Sequence, residues 1–164
     1  MAVIEKGSFE VISRSPNQTR RIGMRLGELL QPGDVVCLEG NLGAGKTTLV
    51  QGIASGWGSY DSVTSPTYVL VNVYRRLDHS QLFHLDGFRL EGAEEAADLD
   101  IETMLDQGPL VVEWADRIEG ALPAGRLWLK MRLINDEQRD FIVNGHGNRH
   151  QILLEQFRSD IYGA

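Results

Sequence analysis

The stretch that decides the fold is VVCLEGNLGAGKTTLVQGIA, Val35 to Ala54. Its first five residues are apolar enough for a strand covered on both faces. Gly40 to Thr47 then satisfies GxxxxGK[ST] at every fixed position, and an apolar helical run follows, expected from about Lys46 to Ser55 and ending at Gly56 and Gly58. Strand, glycine-rich loop and helix in this order form a phosphate cradle. Glycines let successive backbone N–H groups turn inward, and the helix N-terminus adds partial positive charge. Lys46 reaches toward β and γ oxygens, and the Thr47 hydroxyl is of the type that ligates Mg²⁺.

Upstream, FEVIS (Phe9 to Ser13) alternates like a short strand. SPNQTRRIGMRLGELL then offers Ser15 as N-cap and Pro16 at the first helical position, with Ile22, Leu26, Leu29 and Leu30 at helical spacing. QPGD stops that helix. Downstream, Thr67 to Arg76 reads as a β-branched and aromatic strand, and Gln81 to Asp86 as its antiparallel neighbour. EEAADL and DIETML suggest two short acidic helices, and Pro109 to Ala115 a further buried strand. RLWLKMRLI and RDFIVNG flank the turn NDEQ as a hairpin, and RHQILLEQFRSDIY closes as an amphipathic helix. The alternation predicts an α/β fold: a three-layer P-loop domain with a mainly parallel sheet, added antiparallel strands and a C-terminal hairpin.

The 164 residues suit one domain over 1–164, with no linker, repeat or low-complexity run to divide it. A hydrophobic share of 42% with 24% charged residues is that of a water-soluble protein; no basic and apolar leader or bilayer-length run is visible, so a cytoplasmic protein that meets no membrane is expected. Cys37, the single cysteine, falls in the apolar strand and reads as a buried structural thiol. The net charge of −7 argues against autonomous nucleic-acid binding, and Arg20, Arg21 and Arg25 read as a solvated helix face.

A phosphate loop needs an acidic partner for the metal. Asp86 and Glu113 both stand at ends of expected strands, where a parallel sheet would deliver them to the carboxyl edge beside the loop. One can hold Mg²⁺ through a water while the other orients the attacking water. TSPTY (Thr64 to Tyr68), hydroxyl residues around a proline, suits a switch that senses the γ-phosphate. The guanine-reading NKxD pattern is absent, so adenine is the expected base. His79, His84, His146 and His150 lack ligand spacing and read as surface or structural residues.

Taken in order, TRRIGMRLGELL, PGDVVCLEGNLGAGKTTLVQGIASGWG, VTSPTYVLVNVY, FHLDGFRLEG and VVEWADRI closely resemble the bacterial TsaE (YjeE) family over roughly Thr19 to Ile118. The resemblance implies an ATPase, with ATP and Mg²⁺, of the system that makes threonylcarbamoyladenosine at position 37 of certain tRNAs. It acts through threonylcarbamoyl-transferase subunits of TsaD and TsaB type and meets tRNA only indirectly. Carried over by position, Gly43, Ala44, Gly45, Lys46, Thr47 and Thr48 form the cradle, Thr47 is a metal ligand, Asp86 the Walker B acid, and Glu113 a metal-linked or catalytic acid. Thr64, Ser65 and Thr67 become the nucleotide-sensing switch, Thr19 and Arg139 lie near the nucleotide, and Trp114 is the tryptophan beside the acid. Asn41, Gly87 and Phe88 depart from the family's usual aspartate, apolar residue and tyrosine. From the residues alone a small-molecule P-loop kinase, with Asp86 or Glu113 as base and Arg89 or Arg117 on the phosphates, stays open, as does a nucleotide-dependent binding module with little turnover.

Overall fold

The computed structural model describes residues 7–41, 43–63, 71–88, 90 and 92–163. Seven strands, β1 (Ser8–Ser13), β2 (Val35–Glu39), β3 (Val71–Arg75), β4 (Gln81–Asp86), β5 (Leu110–Glu113), β6 (Arg126–Leu133) and β7 (Arg139–His146), form one sheet in the order β1-β7-β6-β2-β5-β4-β3. The four central strands, β6, β2, β5 and β4, run parallel. Outside them β7 is antiparallel to β6, β1 to β7, and β3 to β4, so the expected hairpins flank a parallel centre.

Alternation along β2 explains the layers. Val36 and Leu38 face a core shared with α1 (Pro16–Gly27), α2 (Lys46–Trp57) and α5 (Asn148–Tyr162). Val35 and Cys37 face a second core, beneath the short helices α3 (Ala93–Ala96) and α4 (Ile101–Gln107) and the 3-10 turns after β5. All four side chains are fully buried, as a strand covered on both faces requires. Burial pushes the Cys37 thiol up to about 12, which leaves it an inert space-filler. α5 is tied to β2 by polar contacts: the Val35 N–H donates to His150 Nε2 (3.0 Å), and Arg149 donates to both oxygens of buried Asp34 at 2.9 Å. Burial keeps His150 below the usual histidine range, the neutral state an accepting nitrogen needs.

α1 starts as its sequence dictates, with Pro16 in the first turn and the Ser15 hydroxyl accepting from Gln18 N at 3.1 Å. It then packs on α2 backbone to backbone. A Cβ on Gly27 would stand 2.1 Å from Ile53 O, one on Gly52 2.1 Å from Arg20 O, one on Gly56 2.1 Å from Met24 O, and one on Gly23 2.4 Å from Leu49 O. Four glycines thus make a seam no side chain could enter. Of the two glycines expected to end the helix, Gly58 does so (φ 108°), whereas α2 runs past Ser55 through Trp57 and Gly56 serves the seam.

Candidate nucleotide site

β2 ends at Glu39, and Gly40 then abuts β6, where a Cβ would lie 2.7 Å from Met131 O. Gly43 (φ 84°) and Gly45 (φ 95°) are left-handed, the backbone state their lack of Cβ permits. Gly45 caps α2 without a side-chain hydrogen bond, and the first turn carries no acidic residue. The first-turn N–H groups therefore open toward the space in front of the helix, as an anion site needs. That space is a cavity of about 410 Å³, lined by Gly43, Gly45, Lys46, Thr47 and Thr48 on one side and by Asp86, Glu113, Trp114 and Arg139 on the other.

Sheet register explains the second group. Asp86 pairs with Glu113 across β4 and β5, and Leu38 of β2 pairs with Glu113, so both acids leave the carboxyl edge beside the loop. Glu113 is buried, only 3% exposed. Its Oε1 accepts from the Thr47 hydroxyl at 3.4 Å, and its Oε2 lies 2.5 Å from His84 Nε2. Asp86 accepts from Phe88 N at 2.9 Å. Gly87 donates its N–H to Glu113 O at 2.8 Å, and a Cβ there would stand 2.9 Å from Trp114 O, so the turn after β4 excludes an apolar side chain at this position. Phe88 packs against Trp114 with ring centroids 5.0 Å apart and planes tilted by 49°, and Arg117 donates to Phe88 O at 2.7 Å.

Lys46 is folded back over its own loop. Its Nζ donates to Gly40 O, and to Asn41 O at 3.0 Å, and sits 4.0 Å from the centroid of the Trp114 ring. Burial lowers its pKa from the ordinary lysine value, opposed by the charges of Glu113, Asp116 and Asp86. Asn41 also accepts from Ala44 N through its carbonyl at 3.0 Å, a contact any side chain at residue 41 would allow. Arg139 reaches over the loop from the hairpin: Nη1 donates to the Asn135, Asp136 and Gln138 carbonyls, while buried Nε has no partner among the described residues.

Among the sequence candidates, Gly43, Gly45, Lys46, Thr47, Thr48, Asp86, Glu113 and Arg139 meet at this cavity, and Ala44 is buried behind the loop. Thr19 does not line it. Its hydroxyl pairs with Ser13 Oγ at 2.6 Å, between α1 and β1. Thr64, Ser65, Thr67 and Arg89 lie outside the described residues. His84 is buried, as a structural histidine would be, and its ring touches Glu113 in the cavity wall and, on the other side, Tyr74 Oη at 2.8 Å from Nδ1. FHLD allows part of this to be read, since residues two apart on a strand share a face and His84 follows Asp86 onto the α2 side, but not its neighbours Glu113 and Tyr74.

The donors are hard oxygens, a hydroxyl and two carboxylates, a set that suits Mg²⁺ better than a softer metal. Loop, strand and helix together place the protein in the P-loop class of α/β proteins. The family model described as "Threonylcarbamoyl adenosine biosynthesis protein TsaE" matches residues 13–141, and the chain belongs to that family. The tRNA threonylcarbamoyladenosine biosynthesis protein TsaE of Bacillus subtilis is 38% identical over 142 residues, covering 87% of this chain and 89% of the relative. The protein of the same name from Streptomyces coelicolor is 43% identical over 136 residues, covering 79% and 92%. The crystal structure of Bacillus subtilis YdiB superposes with a TM-score of 0.78 at 29% identity, over 98% of this chain and 99% of that one. No helix among the described residues is long and apolar enough to cross a membrane.

Proposed function

We propose that this protein binds and hydrolyses ATP with Mg²⁺ as the nucleotide-driven member of a cytoplasmic machinery that makes threonylcarbamoyladenosine in tRNA. It works through threonylcarbamoyl-transferase subunits of TsaD and TsaB type rather than by handling tRNA itself. The names of its relatives support the process, and the net charge of −7 supports the indirect route to tRNA. The observation that carries the chemistry is the meeting of Lys46, Thr47, Asp86 and Glu113 on one cavity in front of an open helix N-terminus.

In this reading the loop amides and Lys46 hold the phosphates, and Lys46 leaves the Gly40 and Asn41 carbonyls to do so. Thr47 and, through water, Asp86 would hold the metal, which would supply positive charge against the phosphates. Glu113 orients the attacking water while accepting from Thr47. A kinase reading is weakened because Arg117 is committed to Phe88, by a hydrogen bond to its carbonyl and by lying 5.4 Å from its ring centroid. Incubation with γ-labelled ATP, alone and with the transferase subunits, tests the proposal. Free phosphate that rises with the subunits supports it. Label on a small acceptor makes the protein a kinase, and bound nucleotide without phosphate release makes it a binding module.

A further inference from the structure

We infer that His84 is a positioning residue of the nucleotide site: with Tyr74 behind it, its ring fixes the Glu113 carboxylate so that one oxygen meets Thr47 and the cavity. The inference rests on the reading of Glu113 as the acid that orients water. It starts from register. Asn72 of β3 pairs with His84, which pairs with Val111, and Asp86 pairs with Glu113. Tyr74, Leu82 and Val111 belong to the core beneath α2, so alternation puts Tyr74, His84 and Glu113 in one row under the start of that helix.

His84 is fully buried, Tyr74 and Glu113 are each 3% exposed, and the contacts form a continuous line. An ionised carboxylate only accepts, so Nε2 carries the hydrogen toward Glu113 Oε2 at 2.5 Å. In a neutral ring Nδ1 is then an acceptor, and the Tyr74 hydroxyl donates to it at 2.8 Å. Thr47 donates to the remaining oxygen, Oε1, at 3.4 Å. Both ring nitrogens are used, the ring cannot flip without losing two buried hydrogen bonds, and the carboxylate it holds cannot rotate freely.

A packing role would not call for this residue. An apolar side chain would fill the same space beneath α2 without the cost of burying an imidazole. The imidazole is instead directed at an acid that touches the phosphate-loop threonine. Outer partners of this kind fix the orientation of the group that does the work, and losing them typically lowers function by about 10- to 100-fold. Among the described residues the phosphate loop meets this line through the Thr47 hydroxyl, and Lys46 feels the Glu113 charge.

The test uses the full chain with Mg²⁺-ATP, reading single-turnover phosphate release, nucleotide affinity by calorimetry and the thermal midpoint. His84→Leu is expected to lower turnover about 10- to 100-fold with affinity within about 3-fold, and His84→Gln, which keeps an N–H, to restore most of it. On a Glu113→Gln background His84→Leu is expected to add no further loss, because both changes act on one carboxylate. Equal losses of affinity and turnover, or a full additional loss on that background, overturn the inference. If His84→Leu does not fold, Tyr74→Phe carries the test. It is expected to lower turnover several-fold in the wild type and not at all beside Glu113→Gln, and equal effects in both overturn the inference. Nitrogen NMR of the His84 ring is expected to show the Nε2–H tautomer, with that proton shifting in Glu113→Gln; an Nδ1–H ring overturns it. Normal turnover in Glu113→Gln removes the underlying reading and this one with it. A dead Glu113→Gln beside a normal His84→Leu removes only the role of His84.

Discussion

The two walls of the cavity are made on different principles. The loop wall comes from one short stretch, Gly43 to Thr48, that sets an open helix N-terminus and one cation in front of the cavity. The acid wall is assembled from Asp86 and Glu113, on two strands brought level by the register of β4 and β5 and backed by His84 and Tyr74 from the sheet. Apart from the Lys46 and Thr47 side chains, the first wall acts through its backbone, as Asn41 illustrates by accepting through its carbonyl. The second depends on individual carboxylates, Glu113 buried and Asp86 half-buried, whose charge and orientation cannot be replaced by shape. Ligand affinity should therefore reside mainly in the loop wall and turnover in the acid wall.

The sharpest way to break that division is Glu113→Gln. Turnover should fall about 10³-fold, or about 4 kcal/mol of barrier, with ATP affinity within a few-fold. Single-turnover phosphate release and calorimetry read the two halves separately, and a matching loss of affinity would mean that the acid wall also binds. Lys46→Ala comes next. It should weaken ATP about 100-fold, close to 3 kcal/mol, since the phosphates lose a charge-assisted partner; unchanged affinity by calorimetry would strip the loop wall of its assigned task. Gly52→Ala strikes the seam behind the loop instead, forcing a Cβ toward Arg20 O. A loss of about 2 kcal/mol in denaturant unfolding is expected, and unaltered stability would show that α1 and α2 separate at little cost. The smallest effect belongs to Asp86→Asn: a rise of about 10-fold in the Mg²⁺ needed for half-maximal turnover, or about 1.4 kcal/mol, because the amide keeps the shape and loses the charge. An unshifted Mg²⁺ titration would detach Asp86 from the metal.

The same difference between the walls governs what the sequence reveals. Val35 to Thr48 can be read from its letters because apolar run, glycines, lysine and threonine are neighbours in the chain and their roles are local. Asp86 and Glu113 were legible as strand ends, since a parallel sheet sends such ends to a common edge. His84 was not, because its meaning depends on which residue of β5 lies beside it and on Tyr74 of β3 behind it, and neither pairing is written in a histidine's surroundings. The glycines of the seam misled for a related reason. Within one helix Gly56 reads as a stop signal, and only the approach of Met24 O from α1 shows what it is for. Thr19 likewise lies in a predicted helix, but its hydroxyl turns to Ser13 rather than to the cavity.

The glycine seam also bears on how the molecule opens. Where two helices meet through side chains, rotamers can give way and one helix can fray while the other holds. At Gly23, Gly27, Gly52 and Gly56 backbone meets backbone, and at these points no side chain stands between α1 and α2 to yield. The two helices therefore form one cooperative unit of local unfolding. Amide hydrogens of α1 around Ile22 and Leu26, which touch no part of the cavity, should exchange with solvent at the same free energy as those of α2 around Val50 and Ile53, and any ligand that slows exchange in α2 should slow it in α1 to the same degree.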